Sequence, residues 1–228
     1  MAATRTTACS TCGADALAVK PHALRDSWSR TFYEPLLVKN NAAALLGEIP
    51  AGSEATAELD CSLQPIHQFD QVGLFVAVSD DCFVKAGLEY ADGKLHLSVV
   101  VTNNGFSDWS TQIWREWDGT KGSVHLRLSK LLRVGGPCLL VEVDGARGLG
   151  REEGANGPAA AAAPGCGAAL PRWDFVRIAP VAASRDAVWR VGPFAACPIA
   201  AGMEATFRHF SLGSASEPSH AADASSMM

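Results

Sequence analysis

The sequence predicts an all-β domain of antiparallel strands, and three observations carry that reading. Short runs of alternating apolar residues recur between about residues 26 and 212, separated by Gly, Asp, Asn and Pro. No segment carries an apolar stripe at helical spacing, and no internal repeat is visible. A length of 228 residues, with 48% hydrophobic and 19% charged, suits one domain with a sizeable core. Residues 1–25 read as a flexible segment, 26–212 as the β-sandwich domain, 145–170 as a Gly/Ala-rich inserted loop, and 213–228 as a disordered tail.

The formal net charge of −5 leaves no basic footprint for nucleic acid or an anionic membrane. No apolar run approaches the roughly 20 residues of a membrane span. The opening MAATRTTACSTCGADALAVK lacks a compact apolar h-region. No nucleic-acid or membrane partner is expected, and the expected location is cytoplasmic. Arg5 with several Thr and no early acid leaves a targeting role for this segment open. The seven cysteines (Cys9, Cys12, Cys61, Cys82, Cys138, Cys166, Cys197) are an odd number and are expected as reduced thiols. Cys9 and Cys12 form a lone C-x-x-C without the second ligand pair of a zinc site.

The central strands can be paired by register. In YADGKL (90–95), Asp92-Gly93 lies between alternating runs, the strongest short hairpin signal. A two-residue loop there pairs Glu89 with His96, Gly87 with Ser98 and Lys85 with Val100. Tyr90, Leu88, Ala86 and Val84 then meet Leu95, Leu97, Val99 and Val101. One face becomes apolar and the other polar or small, a pattern that a one-residue slip would destroy. The run DQVGLFVAV (70–78) is expected to join with Val78 opposite Cys82, which sets Gln71, Gly73 and Phe75 beside Glu89, Gly87 and Lys85. If Asn104-Gly105-Phe106 makes the next turn, Thr102 faces Asp108. Trp109, Thr111 and Ile113 then point to the core, while Asp108, Ser110, Gln112 and Trp114 join the polar face.

That face has three rows: Gln71, Glu89, His96, Trp114; then Gly73, Gly87, Ser98, Gln112; then Phe75, Lys85, Val100, Ser110. The middle row has almost no side-chain volume on two adjacent strands. Glycine inside a strand often marks close approach of another group. The expected ligand groove is therefore formed by Gln71, Gly73, Lys85, Gly87, Glu89, His96, Ser98, Ser110, Gln112 and Trp114, with Asp108 at one end. Two other readings stay open beside it: a solvated sheet face, and a face covered by residues 26–50. Trp114, beside His96, is the expected exposed aromatic that stacks on a sugar ring or anchors a protein partner. Trp109 is expected in the core, and Trp117, Trp173 and Trp189 in sandwich packing.

The stretches FDQVGLFV, FVKAGLEYADGKLHLSVVVTNNGFSDWS and VGPFAACP resemble the family of the fungal "regulation of enolase" proteins, a domain of unknown function. The likeness is dense over residues 69–114 and thinner from about 28 to 211. It implies a single-domain, two-sheet antiparallel β-sandwich of the concanavalin A-like lectin/glucanase type, a jelly roll with a concave face. It implies no established activity. Bacterial members are often attached to sugar-processing enzymes, which suggests carbohydrate. The 145–170 insertion departs from the family's compact loop.

A retaining glucanase on this fold needs two carboxylates roughly 5 Å apart. The nearest match to the superfamily's E-x-D-x-x-E strand is Glu116-Trp117-Asp118-Gly119-Thr120-Lys121, where Lys121 replaces the third acid and Asp118-Gly119 reads as a turn. Glu89 beside His96 could serve as acid and base or form a cross-strand bond. His96, Glu89 and Asp108 have no spacing diagnostic of a metal, and Ser79-Asp80-Asp81 offers too few oxygens for calcium. Cys197 reads as a buried thiol. No catalytic residue, metal or cofactor is expected. The leading expectation is a non-catalytic binding module for carbohydrate or a sugar-like metabolite. The alternatives are a protein-interaction domain acting on a cytosolic metabolic enzyme, and an unrecognised glycan-active hydrolase.

Overall fold

The computed structural model describes residues 16–145 and 171–219. The Cys9–Cys12 motif, Cys166 and nearly all of the 145–170 insertion lie outside the described residues. In chain order the strands begin with β1 (Leu17–Val19), β2 (Ser27–Ser29), β3 (Val38–Asn40), β4 (Ala43–Ala44) and β5 (Gly47–Ile49). Longer strands follow: β6 (Ala55–Gln64), β7 (Gln71–Ser79), β8 (Cys82–Ala91), β9 (Lys94–Asn103) and β10 (Phe106–Ile113). The last are β11 (Gly122–Arg133), β12 (Gly136–Asp144), β13 (Trp173–Pro180), β14 (Trp189–Ala196) and β15 (Glu204–Ser214). Among the described residues no helix is long and apolar enough to cross a membrane.

Two antiparallel sheets face each other. One has six strands in the order β1-β15-β6-β11-β12-β13, and the other seven, with β10-β9-β8-β7-β14-β4 along its path and β5 also on β14. The small pair β2-β3 stands apart from both. The core between the sheets takes alternate residues from each: Leu59, Cys61, Leu126 and Val141 from one, and Val72, Leu74, Leu88, Leu97 and Val99 from the other. This is the period-2 burial expected of strands with one face inward.

The β8–β9 hairpin has the expected register, with Glu89 opposite His96, Gly87 opposite Ser98 and Lys85 opposite Val100. Its turn holds Asp92 at φ 53° and Gly93 at φ 76°, both left-handed as a two-residue primed turn requires. Gln71, Gly73 and Phe75 of β7 lie opposite Glu89, Gly87 and Lys85, also as expected. The connecting turn differs, because Ser79, not Val78, pairs with Cys82 across an irregularity after Ala77.

The β9–β10 register corrects the sequence reading. Phe106 pairs with Asn103 and Ser107 with Thr102, so Phe106 belongs to the strand and the turn is Asn104-Gly105 alone. Asn104 at φ 52° and Gly105 at φ 76° repeat the backbone of Asp92-Gly93. A shift of one residue exchanges the faces. Ser107, Trp109, Thr111 and Ile113 now lie opposite Thr102, Val100, Ser98 and His96. Asp108, Ser110 and Gln112 move to the other face, opposite Val101, Val99 and Leu97. Trp114 is buried in the core, its Nε1 donating to the Ser123 carbonyl at 2.9 Å.

Polar residues are tolerated on that second face because β10 is an edge strand. Arg177 of β13, in the opposite sheet, donates to Ser110 Oγ at 2.7 Å and pairs with Asp108. The two sheets are thus clasped along one side. Trp173, expected in the sandwich, instead packs beneath the Arg127 guanidinium at 4.5 Å. The segments expected as flexible or disordered supply β1 and the end of β15, and β1 pairs with β15. Farther on, the Ser219 amide donates to Glu142 at 2.7 Å.

Candidate functional site

Strand alternation puts Gln71, Gly73, Phe75, Lys85, Gly87 and Glu89 on the outer face of the seven-stranded sheet. The β2–β3 segment lies over this face. Ser107 Oγ accepts from the Ser29 amide at 2.9 Å, and Ser29 Oγ donates to the Gly105 carbonyl at 2.7 Å. The stretch Gly105–Ser110 therefore docks the cap as well as turning the chain.

The glycine row is covered rather than open, which corrects the expected groove floor. Asp26 Oδ1 accepts from Lys85 Nζ at 2.8 Å and from Gln71 Nε2 at 3.2 Å. Those residues occupy diagonal corners around the Gly73–Gly87 pair, so the carboxylate that reaches both lies above the glycines. The pair also brings two backbones together. A Cβ on Gly73 would lie 2.0 Å from the Ala86 oxygen, and one on Gly87 would lie 2.0 Å from the Val72 oxygen.

Beside this covered centre a cavity of about 180 Å³ remains, with Lys85, Glu89, Val100 and Trp109 on the sheet side. The cap contributes Asp26, Trp28, Tyr33, Leu37 and Lys39, while Phe69, Pro198 and Ile199 complete the wall. Trp109 meets Trp28 at 6.4 Å and 86°, and meets Phe69 at 6.2 Å and 74°. These are edge-to-face contacts. They leave ring faces at nearly right angles, like the sides of a box. Phe69 is held at φ 67°, a left-handed conformation that costs an L residue about 1–2 kcal/mol. Its amide bond to the Tyr90 carbonyl at 2.7 Å holds it there.

At the floor, Ser98 Oγ donates to Glu89 Oε2 at 2.5 Å, and Trp109 Nε1 reaches the same oxygen at 3.1 Å and Ser98 Oγ at 2.8 Å. Burial pushes the Glu89 carboxyl up, against the pull of the Lys85 ammonium and of these hydrogen bonds. Burial also raises Tyr33, assisted by the charges of Glu89 and Asp26, so its hydroxyl keeps its proton. The raised Glu89 sets a sign for stability. Below the ordinary glutamate value of about 4.3 both folded and unfolded chains hold the proton. As pH rises from there towards the folded value, only the folded chain keeps it, so stability falls. Glu89→Gln removes that slope, and its stability relative to the native chain should grow between about pH 4 and the folded value. Urea titrations across pH test this; a variant that loses stability relative to the native chain as pH rises through that window contradicts it.

Of the residues expected to line the groove, Lys85 and Glu89 line the cavity, Ser98 bonds to Glu89, and Gln71, Gly73 and Gly87 lie beneath Asp26. His96 shares the face but does not line the cavity, and Glu89 bonds to Ser98 and Trp109 instead of to it. Asp108, Ser110, Gln112 and Trp114 are removed from the face by the register shift. Trp109, expected in the core, takes the aromatic position assigned to Trp114. The same Asn-Gly signal that fixes a two-residue turn would have found it. Asp26, Trp28, Tyr33 and Lys39 come from a segment with no strand periodicity to reveal them. Cys61, Cys82, Cys138 and Cys197 are free thiols, and burial, then Asp70, pushes Cys197 up to about 12. Among the described residues no three His, Cys, Asp or Glu side chains converge as a metal would need.

Fold and site together define a two-sheet antiparallel β-sandwich with a capped, aromatic-walled pocket on one outer sheet face. The chain matches the family described as "Protein of unknown function (DUF1349)" over residues 5–215 and belongs to it. "Regulation of enolase protein 1" of Saccharomyces cerevisiae is 29% identical over 187 residues, covering 82% of this chain and 76% of that one. A crystal structure of "a functionally unknown protein from Saccharomyces cerevisiae" aligns at TM-score 0.68 and 26% identity, over 90% of this chain and 91% of that one. A bifunctional GH43-CE protein of Bacteroides eggerthii aligns at TM-score 0.55 and 12% identity, covering 91% of this chain and 22% of its own, a likeness of fold alone.

Proposed function

We propose that this protein is a non-catalytic binding module whose pocket takes a single sugar ring or sugar-like metabolite. The observation that carries this reading is the box of aromatic faces, Trp28, Phe69 and Trp109, closed at its floor by Glu89 and Lys85. Sugar C–H groups pack on the negative face of an aromatic ring, while ring hydroxyls need donors and acceptors at the edges. The volume of about 180 Å³ is below the roughly 300–1,000 Å³ of drug-sized sites, which suits one ring. Catalysis is disfavoured because Asp26 Oδ1 already accepts from the Ser27 amide, Gln71 and Lys85. A carboxylate so engaged is a poor nucleophile. The free cysteines suit a reducing, cytoplasmic setting.

A second reading, regulation of a metabolic enzyme through protein contact, is favoured by Phe32 and Leu36, 88% and 67% exposed on the cap, and by the yeast relative's name. Calorimetric titration with monosaccharides, and separately with purified enolase, tests both. The first reading expects sugar binding that Trp109→Ala weakens at least tenfold without unfolding the chain. Binding of enolase alone, abolished by Phe32→Ser, would replace it with the second.

A further inference from the structure

The pocket contains a charge that its own residues leave unanswered. Trp28 and Lys39 are register partners in the β2–β3 pair, so their side chains leave the cap on one face, and both line the cavity. The cavity's other lysine, Lys85, is held by Asp26 at 2.8 Å. The Lys39 ammonium has no hydrogen-bond or ion-pair partner among the described residues. Its backbone neighbour Asn40 is different, with its amide engaged by Asp80 at 3.0 Å.

We propose that the pocket's ligand is an acidic sugar of the uronic acid class, its ring packed against the cavity side of the Trp28–Trp109 pair and its single carboxylate on Lys39. The inference rests on the sugar-binding reading above. Charge selects a carboxylate over a phosphate. One free ammonium balances one negative charge, whereas a phosphate ester brings about −1.5 to −2 near pH 7 into a cavity already holding Asp26 and Glu89. Lysine also suits the task as a compact point charge that needs no bidentate partner. Burial keeps Glu89 more protonated than an ordinary glutamate, which reduces repulsion of an incoming carboxylate. Tyr33, with its proton retained, offers a hydroxyl donor on the cap side.

The test is calorimetric titration of the full chain with glucuronate, galacturonate, their neutral parents glucose and galactose, glucose 6-phosphate, and acetate. A uronate should bind about tenfold more tightly than its neutral parent, equivalent to ~1.4 kcal/mol. The preference should shrink as salt rises, because the cation is partly exposed. Lys39→Gln should abolish the preference, so that this variant binds the uronate no more tightly than it binds the neutral parent. Lys39→Arg should retain the preference. Lys39 holds nothing else in place, so both variants should melt with the native chain. Equal binding of acid and neutral sugars overturns the inference while the sugar-binding reading stands. Preference for glucose 6-phosphate overturns the choice of carboxylate, and acetate binding as tightly as a uronate overturns the ring. If no ring ligand binds, both readings fall together.

Discussion

Replacing Lys85 by alanine should destabilise the protein by about 3–5 kcal/mol, the cost of stranding one member of a buried ion pair. Lys85 and Asp26 side chains are only 4% and 11% exposed. Removal of the ammonium leaves the Asp26 carboxylate over the glycine pair with, among the described residues, only the Ser27 amide and Gln71 to answer its charge. Asp26 ties the cap to the sheet, so the cap should loosen with it. The double variant Asp26→Asn with Lys85→Met should recover most of the loss, because no uncompensated charge remains and the methionine chain fills much of the lysine's volume. Guanidinium unfolding of Asp26→Asn, Lys85→Met and the double completes the cycle. A loss below about 1 kcal/mol for Lys85→Ala, the range of a solvated surface pair, would show the pair is not closed off as described.

The second large effect separates two tryptophans. Trp114→Ala should cost about 3–5 kcal/mol, as large-to-small changes in a packed core do, since Trp114 is 2% exposed and part of the inter-sheet core. Trp109→Ala should cost clearly less, because it is half-buried on an edge strand and faces a cavity. Its loss should appear in ligand binding instead. The reversed order of stabilities would return the β9–β10 register to the three-residue turn and move Trp114 to the outer face.

That contrast also marks where the sequence was legible. The β8–β9 pairing could be read because Asp92-Gly93 names the turn and strict alternation on both sides allows one register. In FSDWSTQI the alternation is ambiguous: Ser, Asp, Thr and Gln sit on both parities, and the lone tryptophan drew the core assignment. The observed register leaves that tryptophan on the outer face because a polar partner, the Glu89–Ser98 pair, waits for its indole nitrogen. The glycine row was visible, but its occupant was not. Asp26 reaches Lys85 across 59 positions of chain, from a segment where Leu24, Arg30 and Phe32 all take left-handed backbone. No local periodicity encodes such a path, so half of the pocket could not be placed before the structure.

The position of β15 has a consequence for how the chain folds. It lies between β1 and β6 in the six-stranded sheet, although it is formed last among the described strands. β6 therefore keeps an unpaired edge until residues 204–214 arrive, and Leu63 waits for Ala205 across well over a hundred residues. Such distant pairings place a domain with the slow folders, on the order of milliseconds to seconds. During synthesis the early strands must stay soluble with that edge exposed. Sheet completion, and with it burial of the core, waits for residues 204–214.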